Sequence, residues 1–259
     1  MPNRIDQCFI ALRKQNEKAF IAYICAGDPD LRRTVELALV LENAGADILE
    51  LGVPFSDPLA DGLVNQLAAQ RALESGATVG GVLDCVRQIR RRSQMPIVLY
   101  TYLNPIFQFG FDRFHSEAAD SGVDGLLLLD LPPEEDPPSE GPLHIRLIAP
   151  TTSPERIERI CGQAAGFIYY VSREGVTGEQ KSVASSLGEQ VTEIRRHTKL
   201  PIAVGFGIST AEQAREVAQF ADAVVVGSAI VKRIGENAAD LAARIAEFVA
   251  PLAAAVKGG

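Results

Sequence analysis

Short apolar runs alternate with amphipathic stretches along nearly the whole chain. Eight runs rich in Ile, Val, Leu and Tyr fall at residues 19–24, 47–51, 96–100, 125–129, 145–149, 167–171, 202–205 and 223–226. Most are apolar on both faces, as parallel strands covered by helices must be. Between them, residues 31–44 place Leu31, Val35, Ala38 and Leu39 on one helical face, and residues 113–121, 154–164, 191–197 and 211–219 repeat the pattern. Helix starts are marked by Thr210 ahead of Ala-Glu-Gln and by Pro154 directly after Ser153. Eight strand–helix units in this length predict an α/β fold of the (β/α)8 barrel type, with residues 1–259 as one domain. A doubly wound open sheet is the alternative. It usually has fewer strands and often carries a G-x-G-x-x-G turn, which this chain lacks.

One unit breaks the rhythm. Between the fourth and fifth strands five prolines fall from Pro132 to Pro142. Proline removes a backbone donor and restricts the residue before it, so a loop with at most a short turn is predicted there in place of a crossover helix.

Composition bounds the function classes. The chain has 259 residues, 47% of them hydrophobic and 22% charged, enough for a core that needs neither disulfide nor metal. Lys and Arg total 25 against 33 Asp and Glu, a net charge of −8, which argues against nucleic acid or an anionic membrane as partner. No apolar run approaches the roughly 18 residues that cross a bilayer, and residues 1–15 lack the apolar stretch of a signal peptide. Cys8, Cys25, Cys85 and Cys161 are scattered, as reduced thiols of a cytoplasmic protein would be. His115, His144 and His197 are far apart and sit beside no ligand pair, so no metal is expected.

In a barrel the reactive groups lie at the C-terminal ends of the strands and on the loops that follow. Glu50 falls inside the second apolar run, where a carboxylate costs several kcal/mol unless hydrogen-bonded or protonated. It is either a structural Glu paired with a neighbour or a general acid whose pKa burial has raised. Asp57 and Asp61 follow in a proline-punctuated loop, where an isolated Asp often serves only as a turn residue. Gly175, Gly178, Gly205, Gly207 and Gly227 gather at the ends of the last three strands, with Ser228 opening a helix. Such glycines let backbone N–H groups approach an anion, and barrels often hold phosphate after strands seven and eight. The six lysines lie outside the strand runs, which removes a Schiff-base mechanism. The residues alone lead to carboxylate acid–base chemistry on a small phosphorylated substrate.

The run ELGVPFSDPLADG over residues 50–62 closely resembles the signature of the tryptophan synthase alpha chain family. So do residues 20–29, 102–105, 130–133, 172–178, 205–209 and 227–232, in the family's order and over essentially the whole chain. The resemblance implies a TIM barrel with an extra N-terminal helix and a missing or shortened helix between strands 4 and 5. It implies cleavage of indole-3-glycerol phosphate to indole and glyceraldehyde 3-phosphate, with no cofactor in this chain. It also implies an α2β2 assembly whose beta chain carries pyridoxal phosphate and receives the indole through a tunnel. On the matching positions, Glu50 is the acid/base and Asp61 the carboxylate that accepts the indole N–H. Phe20, Tyr100, Tyr102 and Tyr169 belong to the substrate pocket, and Thr177 to a loop that closes on Asp61. Gly178, Gly207, Gly227 and Ser228 cradle the phosphate, while Pro54, Asp57, Asn104 and Pro132 face the partner.

The chain departs from the family's pattern in four places. Leu63 replaces a proline, which should loosen the loop carrying Asp61. Asn65 replaces an aliphatic residue, Cys25 stands where threonine is common, and residues 136–144 are shorter than the family's helix. The short segment lies near the family's partner surface, which leaves two alternatives: a stand-alone lyase releasing free indole, or a regulatory partner with decayed chemistry.

Overall fold

The computed structural model describes residues 3–135, 140–172, 180–205, 207–236 and 238–258, with backbone alone for 180–185. Eight strands are present: β1 (Ala19–Cys25), β2 (Ile48–Gly52), β3 (Ile97–Thr101), β4 (Gly125–Leu128), β5 (Leu143–Ile148), β6 (Ile168–Val171), β7 (Ile202–Gly205) and β8 (Ala223–Val226). Each pairs in parallel with the next, and β8 returns to β1, so the sheet closes into a barrel in chain order.

Closure turns the two-residue period of a strand into an inside and an outside. Ala19 and Ile21 of β1 point inward with Ile48, Val98, Leu127, Ile145, Ala203 and Ala223. Phe20, Ala22 and Ile24 point outward into the layer shared with the helices. α1 (Arg4–Gln15) closes the N-terminal end: Ile5, Phe9 and Leu12, spaced on one helical face, join the inner cluster, and Phe9 meets Phe167 at 5.9 Å.

The surrounding helices are α2 (Leu31–Asn43), α3 (Leu63–Glu74), α4 (Val79–Arg90), α5 (Leu103–Phe109), α6 (Phe111–Ser121), α7 (Pro154–Gln163), α8 (Gln180–His197), α9 (Ala211–Ala218), α10 (Ser228–Gly235) and α11 (Leu241–Lys257). The start signals hold. Pro154 opens α7, and Thr210 forms a reciprocal capping box with Gln213 at the head of α9. The β2–β3 crossover holds two helices, α3 and α4, and Phe111 rather than Arg113 opens α6.

Among the described residues no helix joins β4 to β5; a turn in which Glu135 N–H donates to the Pro132 carbonyl stands there instead. The outer face of β5 is correspondingly polar. His144 stacks on His115 of α6 with 3.3 Å between their Nε2 atoms. Since His115 Nδ1 donates to the Phe111 carbonyl, its Nε2 accepts from His144 when both rings are neutral. Burial and the neighbouring ring push the His144 pKa down to about 4, which keeps that ring neutral. Arg146 donates to the carbonyls of Glu135 and Leu131, holding the proline-rich turn against the strand.

An ionic tie fixes the N-terminal end. Asp124, fully buried just before β4, accepts from Arg90 of α4 at 2.5 Å, from Arg4 of α1 at 2.9 Å and from the Ile97 N–H at 2.8 Å. Removing one member of a buried pair leaves the other charge without compensation, which costs about 3–5 kcal/mol. Asp124→Asn should therefore lower the urea midpoint by the equivalent of about 3 kcal/mol at unchanged m-value. A loss below about 1 kcal/mol would show that the tie contributes little.

Candidate active site

The C-terminal mouth of the barrel opens on a cavity of about 680 Å³, within the range of small-molecule sites. Glu50 sits at its floor. Ile48 points inward and Leu49 and Leu51 outward, so the strand period turns Glu50 inward beside its register neighbours Tyr23 and Val98. The side chain is 2% exposed, and its Oε1 has no hydrogen-bond partner among the described residues. Desolvation first, and the like charge of Asp61 second, push its pKa up to about 8. Near neutral pH it is therefore a carboxylic acid with a proton to give.

Asp61 is held very differently. It lies near the end of the β2–α3 loop, where its Oδ2 accepts from the Tyr102 hydroxyl at 2.8 Å and its Oδ1 from the Tyr100 hydroxyl at 3.1 Å. Tyr102 also accepts from the Ala60 N–H at 2.9 Å, pinning the loop. Burial raises the pKa values of Tyr23, Tyr100, Tyr102 and Tyr169, so each remains a neutral phenol. The two carboxyl groups thus occupy opposite environments, one stripped of partners and one surrounded by donors. Such a pair divides the roles of acid and charge stabiliser.

The rim formed by the β7 and β8 loops carries Gly207, Gly227 and Ser228, and α10 begins at Ser228. Its first N–H groups and helix dipole face an anion favourably. No Lys or Arg lines the cavity among the described residues, so an anion there would rely on backbone N–H groups and Ser228. The glycines also have packing reasons. A side chain at Gly205 would collide with the Tyr169 hydroxyl, a Cβ at Gly227 would press on Tyr23 at 3.2 Å, and Gly207 adopts φ +42°.

The structure brings Glu50, Asp61, Tyr100, Tyr169, Gly207, Gly227 and Ser228 to one cavity. Thr177 and Gly178 lie outside the described residues. Tyr102 stands behind Asp61, off the cavity wall. Phe20 is corrected: on the outward parity of β1 it is buried between barrel and helices, and Tyr23 takes the place in the pocket. Pro54 is also corrected, because it is buried within its loop and offers no surface, whereas Asp57, Asn104 and Pro132 are exposed. Sequence reasoning missed Tyr23 and the cavity-lining position of Asn65. The signal for Tyr23 was a hydroxyl-bearing residue in phase with Glu50 across paired strands. Among the described residues, no cluster of three or more His, Cys, Asp or Glu side chains could hold a metal ion.

A closed parallel barrel with a carboxyl-bearing cavity at its C-terminal mouth has the architecture of a (β/α)8 enzyme. The tryptophan synthase alpha chain family matches residues 9–257. Relatives so named include those of Opitutus terrae, 52% identical over 98% of this chain and 99% of theirs, and Geobacter sulfurreducens, 48% identical over 98% and 99%. The solved alpha subunit from Legionella pneumophila superimposes with a TM-score of 0.89 at 39% identity, covering 99% of both chains. A tryptophan synthase structure from M. tuberculosis in an aminoacrylate-bound form gives 0.87 at 31% identity over 99% and 100%. The chain belongs to the tryptophan synthase alpha chain family, and with it goes the lyase activity that cleaves indole-3-glycerol phosphate.

The buried acid also leaves a thermodynamic mark. Because its folded pKa, about 8, lies above the ordinary 4.5, its contribution is fully present below pH 4.5 and is lost as pH rises towards 8. Glu50→Gln has no charge to bury. Its melting temperature relative to native should climb between pH 4.5 and 8, then level off, by about ten degrees in all at roughly 2 °C per kcal/mol. A difference independent of pH, followed by calorimetry, would contradict the raised pKa.

Proposed function

We propose that residues 1–259 act as one barrel domain in which Glu50 and Asp61 carry out the retro-aldol cleavage. The uncharged Glu50 gives its proton to C3 of the indole ring, and Asp61 accepts the ring N–H and stabilises the positive charge that develops there. The glycerol hydroxyl next to the breaking bond then loses its proton to the Glu50 carboxylate as the carbon–carbon bond cleaves. Its electron pair restores the aromatic ring, leaving indole and glyceraldehyde 3-phosphate, with Glu50 reprotonated. The observation that carries this reading is the buried, partner-poor Glu50 at the cavity floor, beside a carboxylate already held by donors. Tyr23, Tyr100 and Tyr169 would flank the ring, and Gly207, Gly227 and Ser228 would take the phosphate together with Gly178.

Family membership implies a beta-chain partner. We assign its docking face to the β2–α3 loop, the start of α3, α5 and the turn after β4, where Asp57, Asn104 and Pro132 are exposed with Leu59 at 93%, Leu63 at 69% and Phe107 at 57% exposure. Large apolar side chains left in water on this loop and these helices suit a stable contact. The assembly is read as α2β2, with pyridoxal phosphate in the partner and none in this chain, and the location as cytoplasmic. No helix among the described residues is long and apolar enough to cross a membrane.

Indole release from indole-3-glycerol phosphate, measured alone and with a beta chain, tests this reading. Slow release alone and strong activation by the partner are expected, as is a loss of about 10²–10⁴-fold in Glu50→Gln with phosphate-ligand binding retained. The native rate should fall above about pH 8 as Glu50 ionises. Near-normal turnover of Glu50→Gln would end the acid/base assignment. In Ser228→Asp a like charge in the cradle should raise KM at least tenfold, and an unchanged KM would remove the phosphate site.

A further inference from the structure

Asn65 is a costly residue where it stands. It lies on the first turn of α3, partly buried, and its Oδ1 is buried without a hydrogen-bond partner among the described residues. An unpartnered buried acceptor costs about 1–3 kcal/mol, which an aliphatic side chain would avoid. What the amide supplies in return is a donor: Nδ2 reaches Asp61 Oδ1 at 3.4 Å. Tyr100 reaches the same oxygen from the opposite element, because the β2–β3 register sets Tyr100 beside Gly52 at the barrel mouth. Its hydroxyl is spent on Asp61 although the residue lines the cavity.

A carboxylate offers about four acceptor directions, two on each oxygen. Tyr100 and Asn65 occupy both directions of Oδ1, and Tyr102 occupies one of Oδ2. Among the described residues, one direction, on Oδ2, is left for a ligand. We infer that Tyr100 and Asn65 are positioning residues: by saturating Oδ1 they turn Asp61 so that an aromatic N–H donor is received at Oδ2. This rests on the proposed role of Asp61 as acceptor of the indole N–H and adds to it two residues that act through Asp61. The arrangement stands without any ligand, so Asp61 need not be reoriented when one binds.

The test compares two non-cleavable ligands on the full chain, an indole carrying a propyl phosphate chain and its benzofuran counterpart, which has a ring oxygen in place of the N–H. Dissociation constants are measured for native, Asp61→Asn, Tyr100→Phe and Asn65→Leu. Native protein should favour the indole by tenfold or more, and Asp61→Asn should abolish that preference. Tyr100→Phe and Asn65→Leu should each reduce it to about threefold or less by weakening the indole more than the benzofuran. If both ligands weaken equally in these two variants, their role is structural and the inference fails. If the preference stays native in them but disappears in Asp61→Asn, the inference fails while the role of Asp61 stands. If native protein shows no preference, or Asp61→Asn keeps it, the assignment of Asp61 fails and the inference with it.

Discussion

Desolvation of Glu50 governs how the rest of the site has to be built. A carboxyl group on the inner face of a barrel strand stays protonated near neutral pH only if no cation comes close and no set of donors gathers on it. Among the described residues the cavity meets both conditions: no Lys or Arg lines it and Oε1 of Glu50 is left without a partner. A cationic phosphate site would have worked against this. A lysine or arginine in the same low-dielectric cavity would favour the ionised Glu50 and remove the proton that the proposed reaction uses. Backbone N–H groups and a helix terminus attract an anion with partial charges only, so the glycine-rich rim is compatible with an acid at the floor.

The same requirement shapes the surroundings of Asp61. In the proposed mechanism its charge remains in the cavity, where it also raises the pKa of Glu50, and it is fixed without a counter-ion. Neutral phenols meet this need. Tyr100 and Tyr102 donate to the carboxylate and carry no charge of their own, because burial keeps them protonated. The full ion pairs stand elsewhere. Asp124 ties Arg90 and Arg4 together at the N-terminal end, and Asp28 takes a two-pronged contact from Arg71 outside the cavity.

Much of this was legible in the chain because two periodicities carry it. The eight strand runs survive with shifts of one or two residues, and the proline-rich connection excludes a helix by its own chemistry. Glu50 stood out because a charged residue inside an apolar run is anomalous whichever face it takes. Parity was not legible. Strands buried on both sides show no alternation, so nothing in FIAYIC distinguishes an inward Phe20 from an inward Tyr23, and only barrel closure decides it. Glycine was ambiguous for a related reason. A missing side chain can make room for an anion or for a neighbouring ring, and at Gly205 and Gly227 the neighbouring tyrosines require the space.

Leu63 shows how the loop is held without the proline usual in the family. α3 begins at Leu63 all the same, although its N-cap, Gly62, provides no side-chain hydrogen bond. Order comes from side chains reaching across the loop and from one bond within its backbone. Tyr102 accepts from the Ala60 N–H, Gln66 donates to the Asp61 carbonyl at 2.7 Å, and the Asp61 N–H donates to the Pro58 carbonyl at 3.0 Å. A proline would restrict the unfolded chain, whereas these bonds restrict the folded loop, and Tyr102 joins the loop to its carboxylate. Fastening the loop backbone and orienting Asp61 thus fall to the same side chain, Tyr102. Any substitution that weakens one weakens the other.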